Sequence, residues 1–205
     1  MAYKDLEIGE DGFARCGWVG SDPEYMRYHD EEWGVKLFGD NNFFEKIALE
    51  AFQAGLSWIT ILRRRPGFRD AFDNFDIATV ANYTDSDVER LLNDERIIRN
   101  KAKIMATIKN ARLTRELVEN SPGALNDLIW SFEPMERKRQ SACAGDESPR
   151  YTTLSELPAV TKESEQLSKA LKKLGFTFVG PTTMYALMQS TGLVDDHLAG
   201  CHRAS

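Results

Sequence analysis

Apolar side chains recur at intervals of three and four residues along most of this 205-residue chain, and glycine or proline interrupts the pattern at short intervals. The clearest run lies between Asn41 and Gly55, where this spacing places the apolar side chains on one helix face and the glycine can end the helix. Alternating patterns typical of strands are scarce, and the segment from Phe176 to Phe178 is too short to begin a sheet. The sequence therefore predicts an all-α protein.

Capping residues predict where the other helices begin and end. Ser57 can open a short helix that must end before Pro66, because the residue before a proline disfavours the helical conformation. The segment from Thr84 to Asp87 resembles a capping box, with aspartate in place of glutamate. Three later helices are expected: one through Ile104 and Ile108, one from Thr161 to Gly175, and one from Pro181 to Gly192. The polar stretch 133–150 is expected to be a long surface loop.

Composition excludes several classes of protein. Apolar residues make up 42% and charged residues 28% of the chain, as in ordinary globular proteins. No apolar run is long enough to span a membrane, and the acidic N-terminal stretch lacks the apolar segment of a signal peptide. Three cysteines, an odd number, do not form a disulfide framework, which favours a reducing cytoplasm.

The net charge of −6 hides two basic segments. Seven basic residues and no acidic one lie between Arg96 and Arg115, and Arg63 to Arg65 form a second cluster. Such patches can dock phosphate groups even on an acidic protein, because physiological salt limits charge interactions to a range of about 8 Å. A solvated helix face is the alternative interpretation.

Residues of the types that bind metals lie near the two ends of the chain. Cys16 and His29 lie near the start, while His197 and Cys201 lie near the finish and are one helical turn apart if that segment is helical. Two thiolates and two imidazoles can complete a tetrahedral zinc site, which would be structural because it leaves no position for water. His202 is a neighbouring spare, so the choice between it and Cys201 stays open. Two buried cysteines with incidental histidines are the alternative.

Aromatic residues crowd the first third of the chain around a carboxylate in an apolar run. Glu50 lies within the run that ends at Gly55, and a carboxylate partly removed from water requires a cation or a hydrogen-bond donor. A flat cationic ligand stacked on aromatic faces would supply that partner. A core aromatic cluster with Glu50 at the helix edge is the alternative. The aromatic residues are Trp18, Tyr25, Tyr28, Trp33 and Trp58.

Several motifs together resemble the bacterial 3-methyladenine DNA glycosylase I family. They are Arg15-Cys16-Gly17-Trp18, Tyr28-His29-Asp30-x-Glu32-Trp33-Gly34, Glu50-x2-Gln53-Ala54-Gly55-Leu56-Ser57-Trp58, Phe176-x-Phe178-Val179-Gly180 and Gly192-Leu193-Val194-x-Asp196-His197. The resemblance covers residues 13–202, so residues 1–12 form an N-terminal extension and residues 203–205 a tail. It implies the helix-hairpin-helix glycosylase fold. From the helix count, residues 13–76 and 161–202 are expected to form one lobe and residues 77–160 the other.

The resemblance also implies roles for individual residues. Glu50 matches the acidic pocket residue, Trp58 the residue that stacks on the base, and Tyr28 the residue that reads the base edge. Trp18, Tyr25 and Trp33 match positions in the aromatic wall of the pocket. One structural zinc ion is implied, bound by Cys16, His29, His197 and Cys201.

The expected DNA contacts come from two places in the chain. The family's hairpin falls at residues 97–103, where Arg99, Lys101 and Lys103 are expected to dock backbone phosphate. Asn100 and Ala102 stand where the hairpin pattern has glycine. Leu56, which follows Gly55 at a helix end, is the candidate wedge that fills the gap left by a flipped base.

On this resemblance we expect a monomeric, cytoplasmic repair enzyme that acts on alkylated double-stranded DNA. It would flip out 3-methyladenine, hydrolyse the glycosidic bond and hold the free base as a product ligand. Because the alkylated base is cationic and leaves as a neutral molecule, little general acid catalysis is expected. The matched pocket motifs contain no lysine, so strand cleavage through a Schiff base is not expected.

Three alternatives stay open from the sequence. A non-catalytic, zinc-stabilised module that binds nucleic acid would be expected to lose Glu50 or Trp58, and both are present. A catalytic zinc hydrolase with Glu32 or Glu50 as its base would need a ligand position that a four-ligand site lacks. The same fold with a wider range of lesions, including 3-methylguanine, cannot be distinguished from the sequence.

Overall fold

The structure is a computed structural model that describes residues 5–135 and 150–204. Its described residues are mostly helical, as predicted, and the polar stretch expected to form a surface loop lies largely outside them, at 136–149. The nine α-helices of the described residues are α1 Pro23–Glu31, α2 Asp40–Gln53, α3 Trp58–Ala71, α4 Ile77–Ala81, α5 Asp85–Asn93, α6 Lys101–Asn120, α7 Ala124–Trp130, α8 Lys162–Lys173 and α9 Pro181–Ser190. Two short 3₁₀ helices span Asp73–Phe75 and Leu154–Glu156.

Several helix ends lie where the capping residues predicted them. Gly55 follows the end of α2 with a φ of 84°, a left-handed conformation that a residue with a Cβ rarely adopts. The Thr84 backbone N–H donates to the Asp87 carboxylate at 2.9 Å, which completes the predicted capping box at the start of α5. Thr161 caps α8 through the Ser164 backbone, and α9 begins at Pro181.

Helix α3 does not end before Pro66, and that prediction is wrong. The helix continues through the proline to Ala71. A proline inside a helix costs about 3 kcal/mol, because it removes a backbone donor and crowds the preceding turn. The face of α3 that carries Leu62 and Phe68 is completely buried on both sides of the proline. Packing of this face offsets the local penalty, which a reading of the proline alone could not anticipate.

The N-terminal segment forms a strand that the sequence did not predict. Strand β1, Leu6–Ile8, pairs antiparallel with β2, Ala14–Cys16, and Leu6 lies opposite Cys16. Three residues are too few to show an alternating pattern, so periodicity gave no signal. The segment treated as an extension is therefore hydrogen-bonded to the strand that ends at a predicted metal ligand.

Helix α2 lies at the centre of the molecule and positions the site. From Phe43 to Phe52, every residue except Glu45 is buried, and α2 packs against α3, α6, α7 and α9. A charged residue on the inward side of such a helix has little access to water. Among the described helices, none is both long enough and apolar enough to cross a membrane.

Candidate active site and metal centre

Glu50 lies on the buried side of α2 with one carboxylate oxygen unsatisfied. The residue is 3% exposed. Its Oε1 accepts a hydrogen bond of 3.1 Å from the Ser190 hydroxyl at the end of α9. Its Oε2 is buried and has no hydrogen-bond partner within the described residues. Because an orphaned buried acceptor is costly, this oxygen is suited to a ligand that brings a donor.

Tyr28 lies within electrostatic range of this carboxylate, and Trp58 of the neighbouring helix packs against Tyr28. Tyr28 of α1 is 2% exposed, and its ring lies 5.5 Å from that of Trp58, the first residue of α3. The indole Nε1 of Trp58 is buried and has no partner in the described part of the chain. Burial raises the pKa of Tyr28, and the charge of Glu50 raises it further. The structure thus brings together the three residues assigned to the pocket.

The ionisation of Glu50 depends on its burial. Removal from water raises the pKa of Glu50 to about 7, although the charge of Lys46 and the hydrogen bond from Ser190 act in the opposite direction. Tyr25 of α1, 6.5 Å from Tyr28 between ring centroids, feels the same carboxylate: burial and the charge of Glu50 both raise its pKa. Because Glu50 Oε2 is shielded from solvent, a ligand could reach it only after neighbouring side chains rearrange.

Lys46 and Ser190 belong to this site, and the sequence analysis missed both. Lys46 is 9% exposed, and its ammonium lies 5.5 Å from the ring centroid of Tyr28 and 5.9 Å from that of Trp58. Its separation of four residues from Glu50 was a usable signal, because such residues share a helix face. Ser190 is 140 residues from Glu50 in sequence, and no local pattern marks it.

Trp18 and Trp33 lie mainly against the residues predicted to bind metal. The Trp33 ring is 4.6 Å from His197 and stacks on His29 at 6.2 Å. Trp18 contacts Trp33 at 5.1 Å, His29 at 5.4 Å and Tyr25 at 5.0 Å. These two tryptophans therefore connect the predicted pocket wall with the predicted zinc ligands.

The residues predicted to bind metal converge from both ends of the chain. One ligand atom each from Cys16, His29 and Cys201 lies within 4.8 Å of the others, and all three residues are buried. His197, the fourth predicted ligand, is not part of this three-residue group, and its ring centroid lies 4.9 Å from that of His29. His202 lies outside this group, with Nδ1 3.0 Å from the Ala14 carbonyl oxygen. The structure therefore selects Cys201 over its neighbour.

Both histidines are oriented by carboxylates in the manner of metal ligands. His29 Nδ1 lies 2.8 Å from Asp30, and its Nε2 lies 3.5 Å from the Cys201 sulfur. His197 Nδ1 lies 2.6 Å from Asp195, which leaves its buried Nε2 without a partner in the described residues. A carboxylate on one ring nitrogen fixes the tautomer that offers the other nitrogen to a metal. Each carboxylate is within two residues of its histidine, a signal that the sequence contained.

The environments of the Cys16 and Cys201 thiols shift their pKa values in opposite directions. A hydrogen bond with Cys16 lowers the pKa of the Cys201 thiol well below its usual range. The same hydrogen bond, together with burial, raises the pKa of Cys16. One thiolate is thus favoured in this pair, and thiolates are the form that binds zinc.

The turn after α2 and the turn before α6 hold the predicted DNA contacts. Leu56 is 42% exposed, as a wedge requires. Lys101 is exposed at the start of α6, and Arg99, two residues earlier, is exposed although its guanidinium lies 3.8 Å from the Glu95 carboxylate. Lys103 is instead 7% exposed, and its ammonium donates to the carbonyls of Phe52, at 2.9 Å, and Ala54, at 2.6 Å. The assignment of Lys103 to phosphate binding is therefore wrong, because its three-donor head caps the end of α2.

The second basic cluster is also occupied by contacts within the protein. Arg63 forms an ion pair with Asp22, and Arg64 donates to the Glu95 carbonyl at 2.8 Å. Arg65 donates to both oxygens of Glu32, at 2.5 and 2.8 Å. These guanidinium groups hold α3 against its neighbours, so the three arginines do not form an open phosphate-binding patch.

Comparisons with known proteins agree with the resemblance seen in the motifs. The sequence profile of the methyladenine glycosylase family matches residues 18–204. The DNA-3-methyladenine glycosylase 1 of Escherichia coli strain K12 is 48% identical over 187 residues, covering 91% of this chain and 95% of that protein.

Solved structures agree with the sequence comparison. A crystal structure of a 3-methyladenine DNA glycosylase I has a TM-score of 0.83 at 43% identity, covering 93% of this chain and all of the other. The Staphylococcus aureus 3-methyladenine DNA glycosylase I, studied for its recognition of 3-methyladenine, has a TM-score of 0.80 at 32% identity and covers 92% and 95% of the two chains. The chain belongs to the methyladenine glycosylase family.

Proposed function

We propose that this protein is a DNA repair glycosylase that excises 3-methyladenine from alkylated DNA. The observation that carries the proposal is the buried Glu50 carboxylate, with one unsatisfied oxygen, beside Tyr28 and Trp58. The names of the relatives support it, because they are called 3-methyladenine DNA glycosylases. The non-catalytic alternative is not favoured, since both residues whose loss it predicts are present in the pocket.

The unsatisfied carboxylate oxygen of the pocket complements an adenine. The exocyclic amino group of 3-methyladenine is a donor that suits Glu50 Oε2. Stacking of the cationic ring on Trp58 would contribute about 0.5–2 kcal/mol, and the Tyr28 hydroxyl would read the edge of the base. Flipping costs a few kcal/mol of unstacking and unpairing, and less for a damaged base. The stacking energy gained by a cationic base is similar in size to the cost of flipping. A normal base gains less from stacking and costs more to flip, so the pocket can favour the lesion.

The chemistry needs little help from an acid. The positive charge on the alkylated ring already weakens the bond to the deoxyribose, and the departing base is neutral. Glu50 is positioned to hold the base by hydrogen bonding and to balance its charge, and an ionised Glu50 would also stabilise a cationic sugar. We therefore propose a monofunctional hydrolase that releases the base without cutting the strand.

DNA docking is proposed to use the two adjacent turns. Arg99 and Lys101, which are exposed, would contact backbone phosphates, and Leu56 would enter the duplex where the flipped base was stacked. Lys103 would contribute by holding the turn that carries Leu56. The division into a lobe of residues 77–160 and a lobe of both chain ends remains a proposal.

A single structural zinc ion is proposed for the metal centre. Cys16, His29, His197 and Cys201 would hold it, and the unpartnered Nε2 of His197 supports this fit. A ligand set of two thiolates and two imidazoles fills the tetrahedral shell, so the ion would tie the chain ends together rather than act on the substrate. Measurement of metal content after purification without added metal tests this, and a folded protein free of zinc would contradict it.

The function is tested by base release from duplex DNA treated with a methylating agent. Wild-type protein is expected to release 3-methyladenine, detected by chromatography, and to leave the strands uncut. Glu50→Gln is expected to keep the fold and lose most of the release, because the carboxylate charge is gone. No release by a folded, zinc-loaded wild type would refute the function, and wild-type release by the variant would remove Glu50 from it.

A further inference from the structure

Lys46 is a buried lysine in the pocket to which the proposed function gives no task. It lies on α2, one helical turn before Glu50, and is 9% exposed. Its ammonium stands 5.5 Å from the ring of Tyr28 and 5.9 Å from the ring of Trp58. These are the two rings proposed to receive the base, so the charge of Lys46 lies close to any base bound there.

The ammonium is held without a direct polar partner. Within the described residues, Lys46 forms neither a hydrogen bond nor an ion pair, and Glu50 Oε2 is likewise unpartnered. Burial lowers the pKa of Lys46, while the carboxylates of Glu50 and Glu32 oppose that change. Removing most of a lysine from water without a hydrogen bond or ion pair to the described residues is costly, because ring faces and distant carboxylates replace only part of its hydration. Such placements concentrate at functional sites, where the electrostatic cost is recovered in binding or chemistry.

We infer that Lys46 supplies a positive charge beside the flipped base that speeds the departure of the base from deoxyribose. This inference rests on the proposed function, and it adds a residue to the reaction. Lys46 would take no covalent part in the reaction. Its charge would act at a distance on the bond between the base and the sugar.

The direction of the effect follows from where the electrons go. When the bond between C1′ and the base nitrogen breaks, both electrons pass to the base, which becomes neutral. The positive charge moves to C1′, where a water molecule adds and gives up its proton to solvent. Before this step Lys46 repels the cationic base, and afterwards it faces a neutral one. This effect requires that C1′ lie farther from Lys46 than the base does, so that the repulsion falls as the charge moves to the sugar and the barrier is lowered.

The same charge has opposite effects on binding and on chemistry. It opposes entry of the cationic nucleotide and favours bond cleavage, so removing it separates the two. Lys46→Met has a similar length without the charge, and Lys46→Arg keeps the charge. At distances like those from Lys46 to the two rings, the repulsion between two unit charges is a few kcal/mol for an effective dielectric constant of about 20. Loss of about half of this repulsion in the transition state changes the rate by about tenfold.

The test is single-turnover release of 3-methyladenine from methylated duplex DNA with enzyme in excess. Lys46→Met is expected to reduce the rate about tenfold at every pH from 7 to 9, while its affinity for the methylated duplex stays the same or rises. A loss that disappears as the pH is raised would report protonation of Glu50, whose pKa the charge of Lys46 lowers, and would overturn the inference. Lys46→Arg is expected to retain most of the rate. Affinity for free, neutral 3-methyladenine should change by less than about twofold in Lys46→Met, since there is no charge on the ring to repel. Thermal melting of both variants shows whether they remain folded.

Two further outcomes would overturn the inference while leaving the proposed function intact. One is a wild-type rate for Lys46→Met. The other is an equal loss in Lys46→Met and Lys46→Arg, because that pattern reports packing of the side chain and not its charge. If the wild-type protein itself released no 3-methyladenine, the proposed function would fail, and the inference would fail with it.

Discussion

Replacing Glu50 by glutamine should change the stability of the protein by an amount that depends on pH. Burial raises the pKa of Glu50 from 4.5 to about 7. The native state therefore binds the proton more tightly than the unfolded state, and stability is lost as the pH rises from about 4.5 to about 7. The shift corresponds to a penalty of about 3 kcal/mol once both states are ionised, and a glutamine does not incur it.

Burial of the glutamine amide opposes the gain in stability. The glutamine side chain buries an amide N–H group without a hydrogen-bond acceptor, which costs about 1–3 kcal/mol at every pH. The change in stability on mutation at a single pH is therefore not diagnostic, whereas its difference between two pH values is. Between pH 5 and pH 8.5 the variant should gain about 2–3 kcal/mol relative to wild type, or about 6 °C in melting temperature for a chain of this length.

The assay is urea unfolding of both proteins at the two pH values. Protonation of the proposed zinc ligands at pH 5 affects both proteins alike, so it cancels in the comparison. Glu89→Gln is the matched control, because Glu89 is an exposed glutamate on α5. It should show no dependence of this kind. A stability difference between Glu50→Gln and wild type that stays constant from pH 5 to pH 8.5 would refute the argument that Glu50 is held with a raised pKa.

Other contacts give predictions with separate readouts. Trp58→Ala should weaken binding of free 3-methyladenine about tenfold by calorimetry, because stacking on the indole is lost, and an unchanged dissociation constant would exclude that stacking. Cys201→Ser should lose bound zinc and melt at a lower temperature, and a metal-free variant of wild-type stability would contradict the zinc site. Lys101→Ala should reduce the slope of log affinity for DNA against log salt by about one, whereas Lys103→Met should lower stability and leave the slope unchanged. Equal salt slopes for Lys101→Ala and wild type would move the phosphate contact elsewhere.

The predictions from sequence succeeded where the signal was local. Thr84 with Asp87, and Gly55 after α2, mark helix ends through contacts between neighbours in the chain, so residue type alone identified them. The prediction at Pro66 failed because burial of the surrounding helix face outweighs a local preference. The strand at Leu6–Ile8 was missed because its partner, and not its own pattern, defines it.

For the site, the sequence identified the residue types but not their neighbours. Glu50, Tyr28 and Trp58 were found as a group through motifs, and the structure brings them together. Lys46 was passed over although it lies one turn from Glu50. Lys103 was assigned to DNA because a basic residue in a basic run is expected to be exposed. The carbonyls that occupy its ammonium come from residues about 50 positions earlier, and no sequence pattern reveals such a contact.

The contacts that complete the site join the most distant parts of the chain, and this affects how the protein folds. The Ser190 hydroxyl reaches Glu50 across 140 residues, and the Leu198 backbone N–H reaches the Cys16 sulfur across 182. Closing a loop costs about 0.6 kcal/mol more for each doubling of its length, whereas a helical turn closes over four residues. Individual helices can therefore form well before the pocket and the cysteine cluster do. A chain that has regained its helical signal during refolding still lacks the groups that make it a glycosylase, and recovery of activity should lag behind recovery of secondary structure.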